Sequence, residues 1–144
     1  MEIDQRLNDI DDCLYRVAVR ALIINDDKVL LVHNGASEWW EVPGGGVEHG
    51  ETVESTLVRE IEEELGVPAD KISSDFQIAY YNIGQVVTGV PRMNFFFTAS
   101  VPAGVLKTSE EVAEWKWLSR EEFMQEKLHP SYGKAELAAV IFGG

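Results

Sequence analysis

Glu60, Glu63 and Glu64 stand three and four residues apart in an acidic run bounded by Arg59 and Gly66. On a helix turning about 100° per residue they fall within about 100° of one another. An apolar stripe of Leu57, Val58, Ile61 and Leu65 lies beside them. Like charges at these spacings cost a helix a few tenths of a kcal/mol per pair. They also make a set of hard oxygen donors suited to Mg²⁺ or Mn²⁺. The plainer reading is a solvated acidic face. Against it stand the glycines at 44, 45, 46 and 50, just ahead of the run, which permit tight turns and close backbone approach to a ligand. Arg59, four residues before Glu63, is placed to neutralise or orient the cluster.

The rest of the chain must position that helix. It has 144 residues, 45% hydrophobic and 26% charged, which fits one globular domain over 1–144. Twelve Lys and Arg against 25 Asp and Glu give a net charge of −13. Such a surface argues against binding a nucleic-acid polymer and would repel a phosphorylated substrate unless a cation intervened. A single cysteine, Cys13, cannot form an internal disulfide and is expected to be at least half-buried. No stretch is long and apolar enough to span a membrane, and the acidic start is unlike a signal peptide. A cytoplasmic protein is expected.

Residues 14–24 read as a strand, Asn25-Asp26-Asp27 as a turn and 29–32 as a hairpin arm. Trp39 to Val42 reads as a short strand stopped by Pro43 and the glycines. A helix is expected from Thr52 to Leu65, ended by Gly66. Strands follow at 76–83, 93–101 and 115–118. Ser119 and Glu122 form a capping-box pair opening a helix to about Leu128, and Lys134 to Phe142 closes the chain as another. Strands and helices mix without a regular βαβ series. The expected class is α+β, a mostly mixed sheet with helices on its faces.

The segment 45–67 resembles the Nudix signature: Gly45, Glu51, Arg59, Glu60, Ile61, Glu63, Glu64, Gly66 and Val67 all match, with no departure. At about 7% usage for each of seven fixed residues, chance gives roughly 10⁻⁸ per starting position. The flanking strands are similar to the family's α/β/α sandwich. The resemblance implies Mg²⁺-dependent hydrolysis, with Mn²⁺ as substitute, of a nucleoside diphosphate linked to another group. By the same resemblance Glu60 and Glu64 are metal ligands, Glu63 a further ligand directly or through water, and the Gly44 carbonyl another. Arg59 and Glu51 would orient the cluster, with Gly45 opening the motif. The general base is implied to be a glutamate of the motif, Glu63, or one on a later loop, Glu110 or Glu111. An ordinary acidic loop is the alternative for that pair. A small nucleotide is the implied partner, and a homodimer is an expectation from the resemblance alone.

Outside the motif, Arg16 and Arg20 share one face of the first strand and could meet a phosphate, as could Arg92 in the loop before Met93. Charge on an edge strand is the alternative for them. One of Trp39 and Trp40, and one of Tyr80 and Tyr81, could stack on a base, although packing serves as well. The three histidines lack metal-ligand spacing. Walker-type and Gly-x-Ser-x-Gly motifs are absent, which removes kinase and serine-hydrolase readings. A calcium-binding reading fails because the carboxylates lie on a helix, not on an EF-hand loop. A non-catalytic nucleotide-binding module or sensor remains the alternative, but every motif glutamate is present. Substrate choice is left to loops such as 33–38 and 84–92.

Overall fold

The computed structural model describes residues 14–84, 90–102 and 104–143; Cys13 and residues 85–89, within the expected 84–92 loop, lie outside them. β1 (Arg16–Asn25) has six consecutive buried residues, Ala18 to Ile23. That pattern belongs to an interior strand covered on both faces. Asp26 and Asp27 both take left-handed conformations, with φ of 50° and 61°. Asp tolerates that region, and the pair forms the two-residue turn into β2 (Lys28–His33).

β1 and β2 pair only beside this turn, at Ile24 with Val29 and Asn25 with Lys28. They then part. The space beside β1 is taken by β3 (Gly44–Gly46), antiparallel, with Gly44 opposite Arg20 and Gly46 opposite Ala18. On its other side β1 pairs in parallel with β5 (Arg92–Ala99), from Arg16 opposite Arg92 to Ile23 opposite Ala99. β4 (Ile78–Gly84) edges the sheet beyond β5, and β6 (Glu114–Leu118) edges it beyond β2.

A parallel pair needs a crossover, and α1 (Val53–Leu65) provides it. Leu57, Ile61 and Leu65 are fully buried against Val19, Ala21, Ile23 and Phe97. Alternation along the strands sends Leu22, Leu31 and Phe96 to the opposite face. There they meet Phe123 of α2 (Arg120–Gln125) and Leu137 of α3 (Lys134–Phe142). The result is the expected α+β class, a mixed sheet between helical layers. Among the described residues no helix is long and apolar enough to cross a membrane.

Several expectations need correction. Trp39 to Val42 is not a strand: Trp40 and Glu41 make single bridges, to Leu128 and Val32. Extended pairing falls on the glycines, because only glycine can come so near β1. A Cβ on Gly44 would sit 2.8 Å from the Arg20 Cα, and its φ is 149°. Arg92 belongs to β5 and not to a loop. β1 is interior, so Arg16 and Arg20 do not lie on an edge strand. α2 stops at Gln125, short of Leu128; Leu128 is instead buried beside Trp40.

Candidate active site

Thr52 caps α1: its hydroxyl accepts from the Ser55 N–H, and the Ser55 hydroxyl accepts from the Thr52 N–H, both at 3.0 Å. Gly66, at φ 68°, ends the helix in the left-handed conformation. These ends fix which residues face the sheet. Glu60 and Glu64 border the buried stripe and are themselves buried, at 8% and 6% exposure. Burial first, and then the neighbouring Glu60, push the Glu64 carboxyl well above its ordinary range. The Gly44 N–H donates to Glu64 Oε1 at 3.2 Å.

Glu111 completes the cluster. One carboxylate oxygen from each of Glu60, Glu64 and Glu111 lies within 4.8 Å of the other two. The three supply oxygen donors around a common point, the chemistry a hard divalent cation requires. Glu111 is carried by a closed turn. The Ser109 N–H donates to the Val112 carbonyl (2.9 Å), the Val112 N–H donates to Ser109 Oγ (3.1 Å), and Val112 is buried.

Glu63 lies elsewhere. Its carboxylate accepts from Arg59 Nη1 at 3.1 Å and is about half exposed, on the flank of α1 away from the cleft. Arg59 is the hub of that flank. Its Nε and Nη2 grip both oxygens of Glu51 at 2.6 and 2.9 Å, Nη1 reaches Glu60 at 3.0 Å, and Nη2 donates to the Gly46 carbonyl at 3.3 Å. Glu51 also accepts from the Glu48 N–H and the Thr56 hydroxyl, each at 3.0 Å. Held first by Arg59, its carboxyl is lowered to about 2.

The opposite wall is cationic. Arg20 is 5% exposed, donates from Nη1 to the Val42 carbonyl at 3.2 Å and stands 5.7 Å from the Tyr132 ring centre. Burial alone would lower its pKa, but Tyr132, Glu41, Glu64 and Glu60 outweigh that and raise it. Arg92 is lowered, by burial first and then by Arg20 and Arg16. Arg16 covers Gly46, where a Cβ would collide with its guanidinium. Arg20, Arg92, Glu64, Glu111 and the glycines of β3 line one cleft of about 270 Å³ at the parting of β1 and β2. A larger open groove, about 550 Å³, runs along the outer side of α1 past Val58, Glu62 and Glu63. It contains none of Glu60, Glu64 and Glu111.

Glu41 and Tyr132 also belong to the cleft region, although nothing in their spacing announced them. Glu41 lines it. The buried Tyr132 hydroxyl accepts from the Val42 N–H at 3.3 Å, and burial pushes it up to about 12. The position of Glu41 just ahead of Val42-Pro43-Gly44 was the one available signal. Trp39 stacks edge-on to His129 at 5.7 Å, and Tyr80 packs on Phe96 at 5.5 Å. Tyr81 is exposed.

A family model described as the NUDIX domain matches residues 14–137. An RNA pyrophosphohydrolase of Orientia tsutsugamushi (strain Boryong) is 24% identical over 142 residues, covering 88% of each chain. A putative 8-oxo-dGTP diphosphatase 3 of Mycobacterium tuberculosis (strain ATCC 25618 / H37Rv) is 30% identical over 114 residues, 76% of this chain and 50% of that one. Among solved structures, a UDP-X diphosphatase superposes with a TM-score of 0.75 at 20% identity, covering 98% of this chain and 72% of the other. The MutT protein from Methanosarcina mazei Go1 gives 0.70 at 26% identity, covering 90% and 92%. With the motif complete on α1 and the match running through nearly the whole described chain, the protein belongs to the Nudix family and is a hydrolase acting on pyrophosphate bonds.

Proposed function

We propose that the chain is an Mg²⁺-dependent pyrophosphohydrolase of nucleoside diphosphate derivatives, with Mn²⁺ able to substitute, and that the cleft between α1 and β1 is its active site. One observation carries this reading: Glu60, Glu64 and Glu111 converge within 4.8 Å on a cleft whose far wall holds Arg20 and Arg92. A divalent ion held by Glu60, Glu64 and Glu111 would polarise pyrophosphate oxygens and acidify a water. The Gly44 carbonyl is a further candidate donor. Arg20 and Arg92 bind the anionic phosphate chain, with Arg16 behind them, and so offset the repulsion of a protein carrying −13. Glu111, the exposed member of the three, takes the proton of the attacking water. Arg59 fixes Glu60, and Glu51 and Glu63 in turn fix Arg59; Gly45 leaves room for the Glu60 carboxylate. A 124-residue match, 14–137, supports one domain and a small nucleotide as partner.

The test is a hydrolysis screen over nucleoside triphosphates, nucleotide sugars, dinucleoside polyphosphates and ADP-ribose, with Mg²⁺, Mn²⁺ or chelator, reading released phosphate, pyrophosphate and mononucleotide. Metal-dependent turnover of at least one compound is expected. Tight binding without turnover would replace the enzyme by a nucleotide-binding module, and neither binding nor turnover would overturn the assignment of the cleft.

A further inference from the structure

Arg16, Arg20 and Arg92 form a cluster of cations that this acidic chain leaves unpaired. Arg16 and Arg20 stand four positions apart on β1 and so share one face of the sheet. Arg16 is opposite Arg92 across the parallel pairing of β1 with β5, which brings the third guanidinium to the same face. Like charges facing each other across a pairing are unfavourable, and a carboxylate between them would remove that cost. The chain holds 25 Asp and Glu, and ion pairs form at Arg59, Lys116 and Lys127. Among the described residues, Arg16, Arg20 and Arg92 make none. Glu41 acts on Arg20 and Arg92 without pairing with either. Arg20 is 5% exposed, yet its Nε has no hydrogen-bond partner, and a buried donor left unmatched is costly.

β3 makes room for the cluster. A Cβ on Gly46 would collide with the Arg16 guanidinium, and one on Gly44 would stand 3.0 Å from the Arg20 Cδ. The two ends of the cluster differ. Arg20 is opposite Gly44, whose N–H donates to Glu64, so it stands at the carboxylate end. Arg16 and Arg92 lie four residues further along β1, about 13 Å away by backbone rise. A diphosphate esterified at both ends carries one charge per phosphate, which a single divalent ion balances. Such a chain leaves Arg16 and Arg92 without a counter-charge. A further terminal phosphoryl brings about −1.5 to −2, and guanidinium is the side chain that grips phosphate through paired donors.

We propose, resting on the reading of the cleft as a pyrophosphohydrolase site, that its substrates carry three or more consecutive phosphates, the outer one held between Arg16 and Arg92. Inorganic tripolyphosphate and pyrophosphate test this without turnover, by calorimetric titration of the full chain with Mg²⁺. Tripolyphosphate should bind about tenfold or more tighter, and Arg16→Gln and Arg92→Gln should each remove about tenfold of its affinity while leaving pyrophosphate within about twofold. Either variant carries the test where the other does not fold. Lys71→Gln removes the same charge from an exposed position outside the cleft and should change neither. In hydrolysis, compounds of one base separate the sources of such a chain. The kcat/KM of the nucleoside triphosphate or the dinucleoside tetraphosphate should exceed that of the matching nucleotide sugar, and Arg92→Gln should close the gap. Equal binding of the two inorganic anions, or equal losses for both in the arginine variants, would overturn the proposal. So would preferential turnover of the nucleotide sugar, which would leave the enzyme itself intact. Selective tripolyphosphate binding in a protein that hydrolyses no nucleotide would instead remove the enzyme and keep the three-phosphate site.

Discussion

Gly45 lies under the carboxylate of Glu60: a Cβ added there would stand 2.6 Å from the Glu60 Cδ. Gly45→Ala should therefore push Glu60 out of the cluster. Apparent metal affinity should weaken about 10- to 100-fold, as when a group orienting a ligand is lost, and kcat should fall with it. Gly50→Ala is the contrast. That position has a φ of 86° but nothing within 4 Å, so the change should cost about 1 kcal/mol of stability and leave kcat near wild type. Equal kcat losses in the two variants would refute the distinction.

The buried Glu64 predicts a conflict between stability and activity. Its folded pKa is raised, by burial first, so protonation favours the native state. Stability from this group is full below its unfolded pKa of about 4.3 and declines as pH rises from there through the folded value. Above the unfolded value the metal-free protein bears a cost that grows with pH. Glu64→Gln should raise the metal-free Tm by a few degrees at pH 7.5, change it little near pH 4, and lower turnover about 100-fold or more. A lower Tm at pH 7.5 in the absence of metal would contradict the burial argument.

Glu110 and Glu111 are neighbours with different surroundings. Glu111 faces Glu60 and Glu64, whereas Glu110 belongs to neither the cluster nor the cleft lining. Glu111→Gln should lose about 10²- to 10⁴-fold in kcat and flatten the acidic limb of the pH–rate profile. Glu110→Gln should stay within a few-fold of wild type. A Glu111→Gln variant that kept its rate and its acidic limb, while Glu63→Gln lost both, would return the base to the motif helix.

Glu51 sets a pH window of its own. Arg59 holds its carboxyl at about 2, below the unfolded value of about 4.3. A depressed carboxyl contributes stability above its unfolded pKa and loses it as pH falls toward the folded one. The Tm difference between wild type and Glu51→Gln should be constant from pH 8 to 5, shrink below about pH 4.3 and close near pH 2. A gap that widened on acidification would exclude the ion pair as its cause.

Much of this was legible beforehand, for reasons that residues make plain. The stripe Leu57, Ile61 and Leu65 and the Gly66 stop placed α1 to within a residue. The same helical geometry held a distinction that the shared acidic face obscured. Glu64 falls between Glu60 and the stripe, whereas Glu63 falls on the far side of Glu60, so only the first two turn into the cleft. β3 was misread because three glycines look like a stop; their role depends on how near β1 and Glu60 come, which is tertiary. Arg20 could not be told from a surface charge for a similar reason: its burial follows from β5 and β3 flanking β1, and both pairings join distant stretches of chain.

The parallel pairing of β1 with β5 also governs when the cleft is assembled. Arg16 faces Arg92 across 76 positions of sequence (92 − 16), and closing so long a loop is the slow part of folding. The β1–β2 hairpin and α1 rest on local contacts and can form early, with Glu60 and Glu64 already on one turn. Arg92, and with it the cationic wall, arrives only with the long-range step. During synthesis, a chain that has not yet released β5 from the ribosome carries Glu60 and Glu64 but neither Arg92 nor Glu111, so nucleotide binding should report completion of the sheet and helix formation should not.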